Sequence, residues 1–249
     1  MKDRTVTILR DMEVQEVRGT QKTEQAGYRQ KDIVEQERYG EVHSASGGER
    51  PSQDGVLNLY EVILSKENLI QAHHQVVGNQ GAAGVDGMSC DELLPYLKEN
   101  QRELLTQLYT GSYCSMPVRR VEIRKDEGGM RKLGIPTVID RMIQQATNQV
   151  LQQIFDPEFS DNSFGFRPRR SAHMAIMQTK AYYEQGYEYV VDIDLKAYFD
   201  TINHDKLMYL IEKKVKDKRV LWLIRRYLQS GIMEDGLVKP TEEGATQGN

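Results

Sequence analysis

No stretch of this chain approaches the run of about 18 apolar residues that a membrane-spanning helix needs, so no membrane span is expected. No long apolar segment follows Met1-Lys-Asp-Arg4, and no secretory signal is expected either. Cysteine is scarce: Cys90 and Cys114 stand in no metal-ligand spacing and read as two reduced thiols of a cytosolic protein. The glycine-rich Gly78-Asn-Gln-Gly-Ala-Ala-Gly-Val-Asp-Gly87 lacks the Gly-Lys-Ser/Thr ending of a phosphate loop, and no clear strand leads into it. A basic excess is missing as well. The net charge of −4 runs against the usual balance of a nucleic-acid binder, although binding follows local charge and not the total. No internal repeat is visible.

What is present is enough for one large or two small domains in 249 residues. Residues 1–55 are polar, with apolar residues scattered without period, and read as a leader that buries too little to fold alone, apart from a possible helix near Ile8–Val17. From Leu57 the pattern turns globular. Ser65 is a good N-cap, and Leu69, Ala72, Val76 and Val77 recur at helical spacing. A helix is expected over 90–108, then a hairpin: Val118–Lys125, the turn Asp126-Glu-Gly-Gly129, and Arg131–Ile135. Thr137 and Asp140 approximate a capping box ahead of an apolar stripe through Ile139, Met142, Ile143, Ala146, Val150 and Ile154. A loop over 156–170 leads to a helix over 172–185. Further helices are expected over 204–216 and 219–228, and short strands and turns over 232–249. The mixture indicates an α+β class.

Tyr187–Leu195 reads as the clearest strand. Alternation then puts Val191, Ile193 and Leu195 on one face and Asp192 and Asp194 on the other, about 6–7 Å apart. Two carboxylates on one face repel each other and cost desolvation unless something positive compensates. A divalent cation is the natural compensator, and hard oxygen ligands suit Mg²⁺. A solvated strand end with two surface acids explains Asp-x-Asp equally well at this level.

Context adds to the motif. Asp194-Leu-Lys-Ala-Tyr-Phe-Asp-Thr-Ile-Asn-His204 resembles the first palm motif of group II intron reverse transcriptases. Four further segments resemble the same family in the same order: Gly81–Gly87, Met130–Gln145, Ser163-Phe-Gly-Phe-Arg-Pro-Arg-Arg-Ser-Ala-His173 and Gly244-Ala-Thr-Gln-Gly248. The resemblance covers residues 57–249 and implies a right-hand polymerase fold, with fingers over 56–186 and an incomplete palm over 187–249. It implies RNA-directed DNA polymerase activity with Mg²⁺ as cofactor and dNTP as substrate. By position, Asp194 matches the first catalytic aspartate and the carbonyl of Leu195 a second metal contact; Asp192 ranks below them. Phe199 matches the aromatic under the incoming sugar, which leaves no room for a 2′-hydroxyl. Lys125 and Arg131 match residues that hold the triphosphate, and their chemistry fits. Gln247 and Gly248 match the start of the motif that contacts the templating base and the nucleotide. Arg119, Arg120 and Arg124, and separately Arg167, Arg169 and Arg170 among Phe164 and Phe166, are candidate contacts to a nucleic-acid backbone. Many relatives carry glycine at the position of Arg169, which leaves the local turn open.

The implied partners are an intron RNA template and a DNA or RNA primer, in a bacterial cytoplasm. The family's polymerases use two further carboxylates from a Tyr-x-Asp-Asp hairpin, and no Tyr-x-Asp-Asp occurs in these 249 residues. The expectation is a chain inactive alone, completed in cis or trans by a C-terminal half with thumb and maturase domain. A non-catalytic remnant that grips intron RNA is the alternative, and a non-functional fragment a third reading.

Overall fold

The computed structural model describes residues 58–124 and 128–245. The leader, with the helix considered near Ile8–Val17, lies outside the described residues, as do Lys125 and Gln247. The elements in chain order are α1 (Leu59–Ile63), α2 (Lys66–Asn79), α3 (Leu93–Thr110), β1 (Val118–Arg124), β2 (Met130–Ile135), α4 (Val138–Phe155), α5 (Ala172–Glu184), α6 (His204–Glu212), α7 (Lys218–Leu228), β3 (Ile232–Glu234) and β4 (Leu237–Lys239). The α+β class stands. The chain divides into two compact units, whose described parts are 58–124, 128–151 and 195–245, and 152–194.

In the first unit the helices start where side chains supply the missing acceptors. Ser65 accepts the Asn68 N–H at the start of α2, Asn203 that of Lys206 at α6, and Asp217 that of Arg219 at α7. Thr137 Oγ1 accepts the Asp140 N–H at 3.1 Å just before α4. The buried stripe of α4 contains Met142, Ile143, Ala146 and Val150, as the periodicity requires, whereas Ile139 and Ile154 are half-buried. These side chains share the core with Tyr60, Ile63, Leu93, Leu97, Leu104, Leu108, Val220 and Leu223. Burying each large aliphatic contributes about 1.5–3 kcal/mol. Polar groups pin the helices to one another: Asn68 Nδ2 donates to Ile63 O at 2.8 Å and to Ala146 O at 2.9 Å. Tyr60 donates its hydroxyl to Leu108 O at 2.8 Å, while its backbone N–H reaches Asp217 Oδ2 at 3.1 Å.

The sheet is mixed, in the order β2-β1-β3-β4. The expected hairpin is present: β1 and β2 pair antiparallel from Arg119↔Ile135 to Arg124↔Met130. β3 joins β1 in parallel at Val118↔Ile232, and β4 returns antiparallel. The glycine-rich connection before α3 is irregular, as expected, and presses on the start of α4. A Cβ at Gly84 would lie 2.6 Å from the Thr137 Cα. Arg119 and Arg141 clamp this loop by donating to Ala83 O and Ala82 O.

In the second unit, the end of α4 runs into a short 3₁₀ turn (Asp156–Glu158), a loop, and α5, none of whose residues is buried. One expectation fails here. Residues 187–195 form no strand. A strand exists through hydrogen bonds to a neighbour, and no described segment pairs with this one. Val191 and Ile193 are accordingly 80% and 81% exposed. The expected helix over 204–216 is also shorter and stops at Glu212.

Candidate active site

The first unit builds a cavity around Phe199. Ala197 adopts a left-handed conformation (φ 51°) and opens a 3₁₀ turn over Tyr198–Asp200. Thr201 Oγ1 donates back to Ala197 O at 3.1 Å, and Asn203 then starts α6. Residues 243–245 fasten this turn from outside. Ala245 N–H donates to Phe199 O at 2.7 Å and Gly244 N–H to Ile202 O at 2.8 Å. The His204 Nε2 bonds Gly244 O at 2.6 Å, and Asn203 and Glu243 form a bridge. Gly244 is needed twice over: its φ is +86°, and a Cβ there would sit 2.9 Å from Asp200 O. The glycine that opens the last motif is thus locked against the first palm-like motif, a contact between residues far apart in sequence.

Phe199 lines a cavity of about 410 Å³ together with Arg120, Lys132, Tyr227, Asp200 and Glu243. Strand alternation explains two of these. Arg120 sits opposite Gly134, two residues from Lys132, so both cations emerge on one sheet face with Val118. Lys132 stands 3.9 Å from Glu122 and 4.0 Å from Glu234. The carboxyl of Glu234 is held below its ordinary range, first by its hydrogen bond from Lys239 and then by the charges of Lys132 and Arg120. The Nε of Arg120 is buried without a partner among the described residues. A buried donor left unpaired is costly. Arg120, named from the sequence only as a candidate backbone contact, lines this cavity, and its period-2 placement beside Lys132 was the available signal.

The remaining sequence-derived residues are not all brought together. Arg131 lies on β2 opposite Ile123 and is exposed. Asp194 is the last residue of the second unit and Leu195 the first of the first unit's return segment, and both are exposed. With no strand at 187–195, Asp192 and Asp194 are not fixed on a shared face, and the alternation argument does not apply. Among the described residues no group of three or more His, Cys, Asp or Glu is placed to hold a metal. A single exposed carboxylate beside a backbone carbonyl still suits Mg²⁺, which keeps waters and takes one or two carboxylates plus substrate phosphates.

In the second unit the arginine cluster separates into roles. Arg167 is consumed by its own loop: it donates to Asp156 Oδ1 at 2.7 Å, Asp156 O at 3.0 Å, Ser160 O at 2.7 Å and Ser163 O at 3.1 Å. The hydrogen bond from Arg167 holds the Asp156 carboxyl below its usual range. Arg170 bonds Asp161 and lies over the Phe164 ring. Arg169 is exposed at φ 59°, so the left-handed turn that suits glycine is kept here by a non-glycine residue.

Residues 123–249 match the family described as reverse transcriptase (RNA-dependent DNA polymerase). The group II intron-encoded protein LtrA of Lactococcus lactis subsp. cremoris is 36% identical over 191 residues, 76% of this chain and 32% of that protein. Protein YkfC of Escherichia coli is 34% identical over 199 residues, 78% of this chain and 52% of its own length. Nuclear intron maturase 1 of Arabidopsis thaliana is 32% identical over 94 residues, 38% of this chain and 13% of its own. The chain therefore spans about a third to a half of the first two relatives.

Proposed function

Because this chain belongs to the reverse transcriptase (RNA-dependent DNA polymerase) family, in its group II intron branch, we propose that it forms the fingers, 56–186, and the first part of the palm, 187–249, of an RNA-directed DNA polymerase. The substrates are dNTPs, an intron RNA template and a DNA or RNA primer, in a bacterial cytoplasm. The observation that carries the reading is the cavity that Phe199, whose backbone is fastened by residues 244 and 245, lines together with Arg120 and Lys132 of the sheet. A ring beneath the sugar excludes a 2′-hydroxyl, and the cations neutralise phosphate.

Asp194 and the Leu195 carbonyl would hold Mg²⁺, which when bound supports attack of the primer 3′-hydroxyl on the α-phosphate of the dNTP. Lys125 and Arg131, which flank the Asp126–Gly129 turn in the sequence, hold the triphosphate, and Gln247 contacts the nucleotide over the templating base. One aspartate and one carbonyl hold too few oxygens for two ions about 3.5–4 Å apart. The 249 residues alone are therefore proposed to need further carboxylates, in cis or in trans, as part of a C-terminal half with thumb and maturase domain.

Primer extension on an RNA template tests both points. The 249-residue protein is expected to give no product, and the polymerase extended to the length of its relatives is expected to give product that Asp194→Ala abolishes. Extension by the 249 residues alone overturns the incompleteness, and an Asp194→Ala polymerase that still extends overturns the assignment of Asp194. A second reading, a non-catalytic intron-RNA binder, draws on the exposed, unpaired segment that carries Asp194. It predicts tight binding of intron RNA with no extension by any lengthened form.

A further inference from the structure

The β1–β2 hairpin leaves and re-enters the first unit beside one buried carboxylate. Asp140 is 2% exposed. Its Oδ1 accepts the Tyr113 hydroxyl at 2.5 Å, and its Oδ2 accepts the Thr137 hydroxyl at 2.7 Å and the Met116 N–H at 3.2 Å. Tyr113 and Met116 lie just before β1, and Thr137 lies two residues after β2. Both roots of the hairpin thus converge on a single side chain. Helix capping does not account for it, because Thr137 Oγ1 already takes the Asp140 N–H. Nor does simple packing, since an apolar residue of that size avoids the desolvation that a buried carboxyl incurs. Three donors from two separate roots are what the carboxylate adds.

We infer that Asp140 is a positioning residue that sets the angle of the hairpin, and through it the place of Arg131 near the far end of β2. The inference rests on the proposed role of the hairpin tip. Geometry gives the root its leverage. Six paired residues at the rise of a β-strand put the tip roughly 20 Å from the root. A tilt of about 5° at the root then moves the tip by roughly 2 Å, and a misplacement of about 1 Å is enough to cost around a hundredfold in rate. Other contacts at the hairpin base are Val118 N–H to Gly231 O at 3.0 Å, Arg119 to Ala83 O at 2.7 Å, and the pairing of Val118 and Arg119 with β3. These act on β1, whereas Asp140 ties the β1 side to the β2 side.

The test is segment-resolved amide hydrogen exchange on the 249-residue chain, with Asp140→Asn, which removes one acceptor, and the milder Tyr113→Phe, which removes one donor. Exchange over Arg119–Arg124 and Met130–Gly134 is expected to speed up about tenfold in Asp140→Asn and less in Tyr113→Phe, the size expected for a lost charge-assisted bond, while α2 and α3 stay protected. Equal acceleration in α2 and α3 makes Asp140 a merely structural residue and overturns the proposal, as does an unchanged hairpin. If Asp140→Asn does not fold, Tyr113→Phe decides alone by the same criterion. Binding of a fluorescent dNTP with Mg²⁺, compared with Arg131→Ala, separates the two ideas. A loosened hairpin with nucleotide binding untouched by either Asp140→Asn or Arg131→Ala sinks the nucleotide role of the tip and leaves Asp140 as the hairpin's anchor.

Discussion

Asp140 and Asp217 are both buried in the first unit, yet they titrate in opposite directions. Burial pushes the Asp140 carboxyl above its ordinary value of 3.8 and outweighs the bonds from Tyr113, Thr137 and Met116. Burial also pushes Asp217 upward, but hydrogen bonds from the Arg219 side chain and from the Tyr60 and Arg219 backbone win, and its carboxyl ends below that value. The linkage signs follow. The Asp217 contribution is present above the ordinary carboxylate range and is lost as pH falls through it. The folded state holds its proton on Asp140 more tightly than the unfolded chain does, so stability falls as pH rises through that range. Thermal melts between about pH 3 and pH 7 should show Asp217→Asn losing progressively more relative to wild type as pH rises, and Asp140→Asn losing progressively less. Parallel curves for the two variants contradict this account. His73 shares the sign of Asp217 but acts at higher pH. Burial first, and the neighbouring His74 second, lower its pKa from 6.5 to about 4, and neither ring nitrogen has a partner among the described residues. Its neutral form is native, so stability is lost as pH falls from 6.5 toward about 4, by roughly 3 kcal/mol when complete. His73→Leu should raise the melting temperature and flatten the acid side of the pH profile; an unaltered acid limb assigns that loss to other groups.

At the level of elements, the legible parts were those set by local rules. The Ser65 cap, the Thr137–Asp140 start of α4 and its apolar stripe, and the β1–β2 hairpin all follow from residues within a few positions of one another. The parallel pairing of β1 with β3 was not legible, because it joins Val118 to Ile232 and no local pattern encodes a register between distant segments. The strand over 187–195 was misread for the complementary reason: alternation describes what a strand exposes to each side but not whether a neighbour exists. For the site, motif spacing singled out Phe199, while its fastening by Gly244 and the cationic wall beside it depend on tertiary contacts. Glycine placement offers a sharp check on this distinction. Gly84 has no room for a Cβ, with the Thr137 N at 2.7 Å and Pro136 O at 2.9 Å, whereas Gly78 sits in α2 with nothing within 4 Å. Gly84→Ala should destabilise by about 1–3 kcal/mol as the loop is forced off α4, and Gly78→Ala should stabilise by about 0.5–1 kcal/mol. Urea unfolding midpoints that move in the same direction for both would mean that the loop yields freely.

For the molecule as a whole, the decisive feature is apolar surface with no described cover. Tyr189, Val190, Val191, Ile193 and Leu195 are consecutive or alternate residues, all exposed, and Ile176 and Tyr183 of α5 are exposed as well. An unpaired β-rich segment of this kind offers both backbone hydrogen-bonding groups and apolar side chains to any similar segment, which is the recipe for edge-to-edge association. The net charge of −4 supplies only weak general repulsion against it. The 249-residue protein should therefore bind a hydrophobic dye and scatter light at micromolar concentration. Val191→Thr with Ile193→Thr should reduce both signals, because threonine keeps the β-branched shape while removing apolar area. The same pair should leave the melting temperature unchanged, since the two side chains are about four-fifths exposed and contribute little burial to the fold. A double variant that scatters as strongly as wild type would move the association surface elsewhere, with the exposed side chains of α5 next in line. One that melts earlier would mean that residues 187–195 pack against something in solution, and the strand expected from the sequence would then regain its claim.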